Sequence, residues 1–470
     1  MKKYFWYFLL LISSNLFAQL HVTNLQTENL KDPKGIDALA PRFSWQLNSP
    51  IRNTMQTAYE LKVMLDKKAV WQTGKTSSGQ SVFIPYAGAT LESNQLYKWQ
   101  VRVWDNQGKS SAWSQPAFFH TGLLQPTDWK ASWIEAGFME DSINRPAQYF
   151  RKPFSLDKKI KTATAYITAL GMYEAHLNGQ RIGDAYLTPG WTSYNKRLQY
   201  QVYDVTGLLK AGDNALGVTL GNGWYRGFLA WDDHKNIYGK RPALLMQLMI
   251  TFTDGSQTII GSDDSWQTST GPIRYSEIYH GETYDAREEK TGWASPGYTA
   301  TDWVKAKKAT VSDRPIVATI NEPIRKHERF KPLKIFKTPK GELVADFGQN
   351  LVGWVELNVK GNAGDQVVLT HTEVLDKAGN FYIANLRAAK QQNKYILKGG
   401  AEEFFEPHFT FQGFRYIKVE GFPGELTADN LTAVALYSDM PPTGSFASSN
   451  KLINQLQHNI QWGQKGNFLD

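Results

Sequence analysis

Wherever this chain is periodic before Thr443, apolar residues alternate with polar ones, and a period of two commits almost all of it to sheet packed on sheet. Phe43-Ser44-Trp45, Tyr59 to Val63 and Tyr97 to Trp104 carry the pattern early, and Val352 to Val359 carries it late. Only Thr443 to Asp470 changes period. There Ser448 or Ser449 is placed to cap a first helical turn, and Leu452, Ile453, Leu456 and Ile460 follow at three- and four-residue spacing. Asn454, Gln457, Gln461 and Gln464 fall mostly on the other faces. A lone apolar stripe cannot stabilise itself, so this stretch is read as the first helix of a domain that the 470 residues do not contain.

A chain of 470 residues exceeds one ordinary core and divides into about three domains. Residues 19–125 read as one small sandwich, with a turn at Asp105-Asn106-Gln107-Gly108 and a last strand opening at Trp113-Ser114. Its spacing resembles a fibronectin type III or immunoglobulin-like module, and it offers no candidate chemistry. Residues 126–315 read as a larger jelly roll, with turns at Leu177-Asn178-Gly179-Gln180, Asp213-Asn214 and Asp254-Gly255, and a buried strand from Ala243 to Phe252. Residues 316–440 read as a third β-sandwich. Leu343 to Gly348 and Val352 to Val359 are expected as two strands broken at Gln349-Asn350, and Pro441-Pro442 ends the sheet region. Residues 441–470 hold the helix.

The opening Met1-Lys2-Lys3, the apolar run Tyr4 to Ile12 and the stretch Ser13 to Gln19 have the build of a secretory signal over residues 1–18, cut after Ala18. That run is too short to span a bilayer, and no later stretch approaches the ~18 apolar residues a span needs. With no Cys there is no disulfide framework, no thiol nucleophile and no lipid-modified Cys. The mature protein is expected to be soluble, periplasmic or secreted. A net charge of +8 would elsewhere point to nucleic acid, a partner that export argues against. The cations crowd a Pro-punctuated connection from Lys305 to Lys340, read as a solvated linker face or, more sharply, as an attraction for acidic polysaccharide.

Catalytic constellations are scarce. Asp232-Asp233, Asp263-Asp264, Glu288-Glu289 and Glu402-Glu403 are paired acids, but adjacent residues of a strand face opposite ways, so solvated loop charge explains them better. His371 and Glu373 share a strand face, which a cross-strand polar pair accounts for. No two-His zinc motif is present, and Gly221 to Gly227 lacks the Lys-Ser/Thr of a phosphate loop.

Several runs together carry a family resemblance: Gly171 to Gly179, Leu187 to Tyr194, Tyr203 to Thr206, Gly221 to Gly227, Asp346 to Trp354 and Phe411 to Tyr416. They resemble the β-domains of bacterial α-L-rhamnosidases of glycoside hydrolase family 78. Phe446 to Asn450 with Asn459 to Gln464 is similar to the first helix of that family's (α/α)6 catalytic barrel. The resemblance implies an exported enzyme that removes terminal α-L-rhamnose by inverting hydrolysis, using two carboxylates of the barrel. It places neither carboxylate here, so this chain by itself is expected to be inactive; the alternative is a non-catalytic glycan-binding protein or an inactive remnant. Some members carry a related jelly-roll module that binds rhamnose with calcium. By that resemblance Trp231, Asn236 and Tyr238, with Glu174, Asn178 and Trp191, are candidate sugar contacts, and Asp232 and Asp233 candidate calcium ligands. The implied partner is a rhamnose-containing oligo- or polysaccharide; no cofactor is required, and calcium is the one candidate ion.

Overall fold

A computed structural model of the chain describes residues 20–229 and 233–469. The expected leader, residues 1–18, lies outside the described residues, as do Trp231 and Asp232. The chain divides into two units, Met1–Asp128 and Trp129–Asp470.

In the first unit, His21–Thr27, Arg42–Asn48 and Ile84–Pro85 form one sheet, and Lys68–Gln72, Gln56–Leu65, Leu96–Asp105 and Ala117–His120 form most of the other. Every second residue of Leu96–Asp105 from Tyr97 onward is buried, as the alternation requires. Two indoles anchor the core while satisfying their N–H groups, Trp45 on Gln56 (3.0 Å) and Trp99 on Thr27 (3.1 Å). On the outer face the half-buried rings are roofed by cations. Lys62 Nζ sits 4.0 Å from the centre of Trp113, and the Arg102 guanidinium lies about midway over Trp104 and Trp113, at 5.1 and 5.0 Å.

The second unit begins with a jelly roll. One of its sheets is centred on Gln148–Leu156, Gly212–Gly221 and Met172–Leu177, the other on Ile160–Leu170, Ala243–Phe252 and Leu198–Asp204. Between them Phe150, Ile167, Leu216, Val218, Met246 and Leu248 are fully buried. Asn178 and Gly179 both take left-handed backbone at the expected turn, and Gly255 does so at the Asp254-Gly255 hairpin.

A ten-stranded sheet follows, and two expectations are corrected by it. Leu343–Val359 is one 17-residue strand, not two. The polar Gln349-Asn350 pair marks a bulge, where the register against Gln412–Glu420 shifts between Asp346 and Leu351 and pairing then resumes. The boundary at residue 315 is also crossed in both directions. Ile273–Glu277 and Gly281–Asp285, expected in the jelly roll, extend the third sheet, where Gly281–Asp285 runs parallel to Gln392–Ile396. Ile316–Ala318 conversely runs parallel to Leu198–Asp204 in the jelly roll.

The Lys305–Lys340 stretch is no linker. Val304–Lys305, Lys307–Lys308, Ile316–Ala318, Ile324–Phe330 and Lys334–Lys337 are strands distributed over all three sheets of this unit. Their cations are paired: Arg325 joins Asp184 of the jelly roll to Asp439 after the last strand of the third sheet, while within the third sheet Lys326 meets Glu406 and Glu356, and Arg329 also reaches Glu356.

The terminal helix spans Lys451–Asn467. Its cap is Asn450, whose side chain accepts from the Leu452 amide at 2.9 Å, rather than Ser448 or Ser449. Ser448 instead turns its hydroxyl onto the amide of Asn450. The helix docks on the third sheet through its C-terminal half, with Trp462 against Phe330 (5.8 Å between rings) and Lys465 bonded to Glu328 (2.5 Å). Its predicted stripe stays uncovered: Leu452 is 80% and Leu456 57% exposed, with Ile453 and Ile460 also exposed. Among the described residues no helix is long and apolar enough to cross a membrane.

Candidate functional site

The jelly-roll strand Gly212–Gly221 runs into a single helical turn, Gly223–Arg226, and then into a loop that returns at Ala243. A buried charge network holds the base of that loop. Arg226 forks onto Glu140 and gives its Nε–H to Asn222 Oδ1 at 2.6 Å. Asn222 donates to Glu277 Oε1 (2.7 Å), whose second oxygen accepts from the Phe228 amide (3.0 Å). Arg145 donates to the Arg226 carbonyl (2.7 Å) and places Nη1 3.6 Å from Glu277. Burial pushes the Glu277 carboxyl above its ordinary range although Arg145 opposes it. At Glu140 burial also acts upward, but the bonds from Arg226 outweigh it and the group sits below its ordinary range. The network fixes where the loop leaves and re-enters the sheet, with Asn236 donating its amide to the Arg226 carbonyl (3.1 Å).

On this base the chain builds an aromatic shelf. The Trp191 ring lies parallel to buried Trp224, with centroids 6.1 Å apart and planes 6° from coplanar. Trp191 donates its indole N–H to the Tyr238 hydroxyl at 3.2 Å, and the Tyr238 ring packs 5.0 Å from Tyr194. Trp191 and Tyr238 are thus brought together, and Asn236, in left-handed backbone, shares the loop of Tyr238.

The other candidates go elsewhere. Glu174 sits on Met172–Leu177 with Arg181 4.0 Å away. Asn178 is spent on its turn: its amide donates to the Leu208 carbonyl and to Asn214, and its oxygen accepts from the Ala215 amide. Asp233 is exposed with Oδ1 3.4 Å from Nε2 of His280, a buried ring whose pKa is lowered by burial and whose Nδ1 has no partner. Of the two candidate calcium ligands, only Asp233 lies among the described residues. Among the described residues no group of three or more His, Asp or Glu is placed to hold a metal ion.

The paired acids divide by burial. Glu403 is buried, contrary to expectation, and accepts from the Tyr395 hydroxyl and from the amides of Lys398 and Gly399. His371 and Glu373 do not pair. His371 is buried against Phe414 with Nδ1 on the Gln391 carbonyl, whereas Glu373 is exposed and accepts from Asn350. The cleft lined by Tyr186, Pro189, Gln201, Thr319 and Glu322 has about 30 Å³, room for a single water. Sequence reading missed the Arg226–Glu140–Arg145–Glu277 network. Its one available signal was an Arg set among aromatics in Trp224-Tyr225-Arg226-Gly227, where only a paired cation tolerates burial.

The architecture is that of a modular β-sandwich protein, an immunoglobulin-like unit ahead of a jelly roll joined to a further sandwich. Residues 22–125 match the Rha78A-like N-terminal immunoglobulin domain, 158–328 the alpha-L-rhamnosidase N-terminal domain, and 336–437 the bacterial alpha-L-rhamnosidase concanavalin-like domain. The three β-domains of this chain belong to the α-L-rhamnosidase family. An alpha-L-rhamnosidase of Formosa agariphila is 38% identical over 94% of this chain and 50% of its own length; one of Streptomyces avermitilis is 32% identical over 96% and 60%. The crystal structure of the native rhamnosidase from Aspergillus terreus superposes with a TM-score of 0.91 at 38% identity, covering 96% of this chain and 53% of that one. The chain thus spans about half to three-fifths the length of these relatives.

Proposed function

We propose that this chain is the β-sheet half of an exported α-L-rhamnosidase that removes terminal α-L-rhamnose from plant or algal glycans with inversion. The observation that carries the reading is the uncovered stripe of Leu452, Ile453, Leu456 and Ile460 on a helix already docked by its other end. Such a stripe is covered by further helices, which fits an (α/α)6 domain that supplies both catalytic carboxylates. The buried acids of the β-domains support the same reading. Glu277, Glu282 and Glu403 are buried and each accepts hydrogen bonds that hold local structure, so none is free to act as acid or base on a sugar.

The opening Met1-Lys2-Lys3 and apolar run support export, and exposed Lys307, Lys308 and Lys337 support a glycan with acidic groups. Calcium at Asp232 and Asp233 stays outside this proposal. The test is release of the aryl group from an aryl α-L-rhamnoside. The 470-residue protein is expected to release none, and turnover by the purified chain alone overturns the reading.

A further inference from the structure

We propose that the outer sheet face of the immunoglobulin-like unit is a docking surface for acidic polysaccharide, presented by lysines that the unit's own indoles hold in place. The proposal goes beyond the hydrolytic reading, because it needs no catalytic group and rests on residues of the first unit alone.

A continuous chain of contacts alternates cation and ring on that face, Lys75 to Trp104 to Arg102 to Trp113 to Lys62. Lys75 Nζ lies 4.8 Å from the centre of Trp104, the Arg102 guanidinium 5.1 Å from Trp104 and 5.0 Å from Trp113, and Lys62 Nζ 4.0 Å from Trp113. Three like charges brought this close repel one another, and the negative ring faces among them offset that repulsion. Lys98 adds a fourth cation, since it pairs with Met64 across the strands, one diagonal step from Lys62. The carboxylate on this face is Glu60, and both of its oxygens are engaged, Oε2 by Arg102 at 2.7 Å and Oε1 by Gln72 at 2.8 Å. Glu60 therefore neutralises the middle of the chain of contacts. Lys62, Lys75 and Lys98 keep no carboxylate partner among the described residues. A lysine laid on a ring has given up rotamer freedom before any ligand arrives, so less is lost on binding.

The same contacts select the ligand class. Neutral sugars and the bases of single-stranded nucleic acid are gripped by open aromatic faces. Here two cations lie over each half-buried indole, so stacking is closed to a ligand. What the surface offers is charge, as compact ammonium groups that need no planar partner. Spaced carboxylates or sulfate esters along a glycan chain answer that pattern. Exposed ion pairs are weak singly and screened by salt, so binding depends on several being made at once.

The test uses the full 470-residue chain with polygalacturonate as the carboxylate probe, dextran sulfate as the sulfate probe and neutral dextran as control. Saturable shifts of the Trp104 and Trp113 indole ¹H–¹⁵N resonances are expected with either polyanion and none with dextran. Affinity falls about tenfold or more between roughly 20 and 200 mM NaCl, and the tighter polyanion identifies the acid group recognised. Lys62→Gln combined with Lys75→Gln weakens binding about tenfold with far-UV circular dichroism unchanged. Lys307→Gln combined with Lys308→Gln, in the jelly roll, leaves the shifts at both indoles in place. No saturable shift, or equal binding by the Lys62 and Lys75 variant, overturns the proposal. So does single-stranded DNA that moves the same resonances as tightly as the polysaccharides. Should the double variant fail to fold, Lys98→Gln, outside the ring contacts, decides: weakening of about threefold supports the proposal and unchanged affinity overturns it. Binding is read without turnover, so a failed hydrolase assay leaves this result unmoved, and the reverse holds too.

Discussion

Arg226 grips Glu140 with both terminal nitrogens, Nη2 at 2.6 Å and Nη1 at 2.7 Å, while only 2% of the arginine reaches solvent. A planar fork matched to a carboxylate is the geometry lysine cannot copy. Arg226→Lys is therefore expected to lower stability by about 2 kcal/mol, and Arg226→Ala, which strands Glu140 and releases Asn222, by about 3–5 kcal/mol. Urea denaturation measures both. A cost below about 1 kcal/mol for the alanine variant would show that the network does not hold the loop base.

Two histidines set opposite pH limits. Burial alone would lower the His408 pKa, but its bond to Glu282 at 3.0 Å raises it to about 9. A folded pKa above the unfolded value of about 6.5 gives stability that is complete below pH ~6.5 and lost as pH rises through about 9. His371 is the reverse: burial lowers it to about 4, so its contribution is lost as pH falls from ~6.5 through about 4. His408→Asn is expected to flatten the alkaline limb of a Tm–pH curve and His371→Asn the acid limb. If each variant shifts the curve uniformly, the assignment fails.

The terminal helix has one seated face and one bare face. Trp462→Ala is expected to undock it at a cost of about 1–2 kcal/mol, because the half-buried indole is its main apolar contact with Phe330. Leu456→Gln is expected to leave Tm within about 1 °C and to reduce self-association in sedimentation velocity. A marked fall in Tm for the glutamine variant would mean the stripe is already covered in solution.

Gly353 has φ +147°, and a Cβ there would stand 1.9 Å from the Val434 carbonyl oxygen of the neighbouring strand. That oxygen is backbone and cannot swing aside. Gly353→Ala is expected to cost more than about 3 kcal/mol or to abolish soluble expression, whereas Gly341→Ala, with open space around it, pays only for its left-handed backbone, about 1 kcal/mol. Equal effects in the two variants would refute the steric account.

Alternation made the strands legible. Ala243–Phe252 has the bounds its pattern implies, and the helix begins within three residues of the expected caps. Pairing partners were not legible, because a period of two states which face is buried and nothing about which neighbour supplies the edge. That is why Ile273–Glu277 and Gly281–Asp285 were assigned to the wrong sheet. Loop chemistry was partly legible: aromatics mark the shelf at Trp191 and Tyr238, yet Asn178 and Glu174 serve a turn and an ion pair that sequence spacing cannot distinguish from a sugar site. The buried arginines escaped because the carboxylates they pair with, Glu140 for Arg226 and Glu277 for Arg145, lie 86 and 132 residues away along the chain.

The strands traded across residue 315 bear on inheritance. Ile316–Ala318 completes an edge of the jelly roll, and Gly281–Asp285 bridges Ile273–Glu277 to Gln392–Ile396, so a gene cut between the two sandwiches leaves each with a torn border. The pair must then travel through recombination as a single cassette, and an engineer grafting the shelf onto another protein has to carry both.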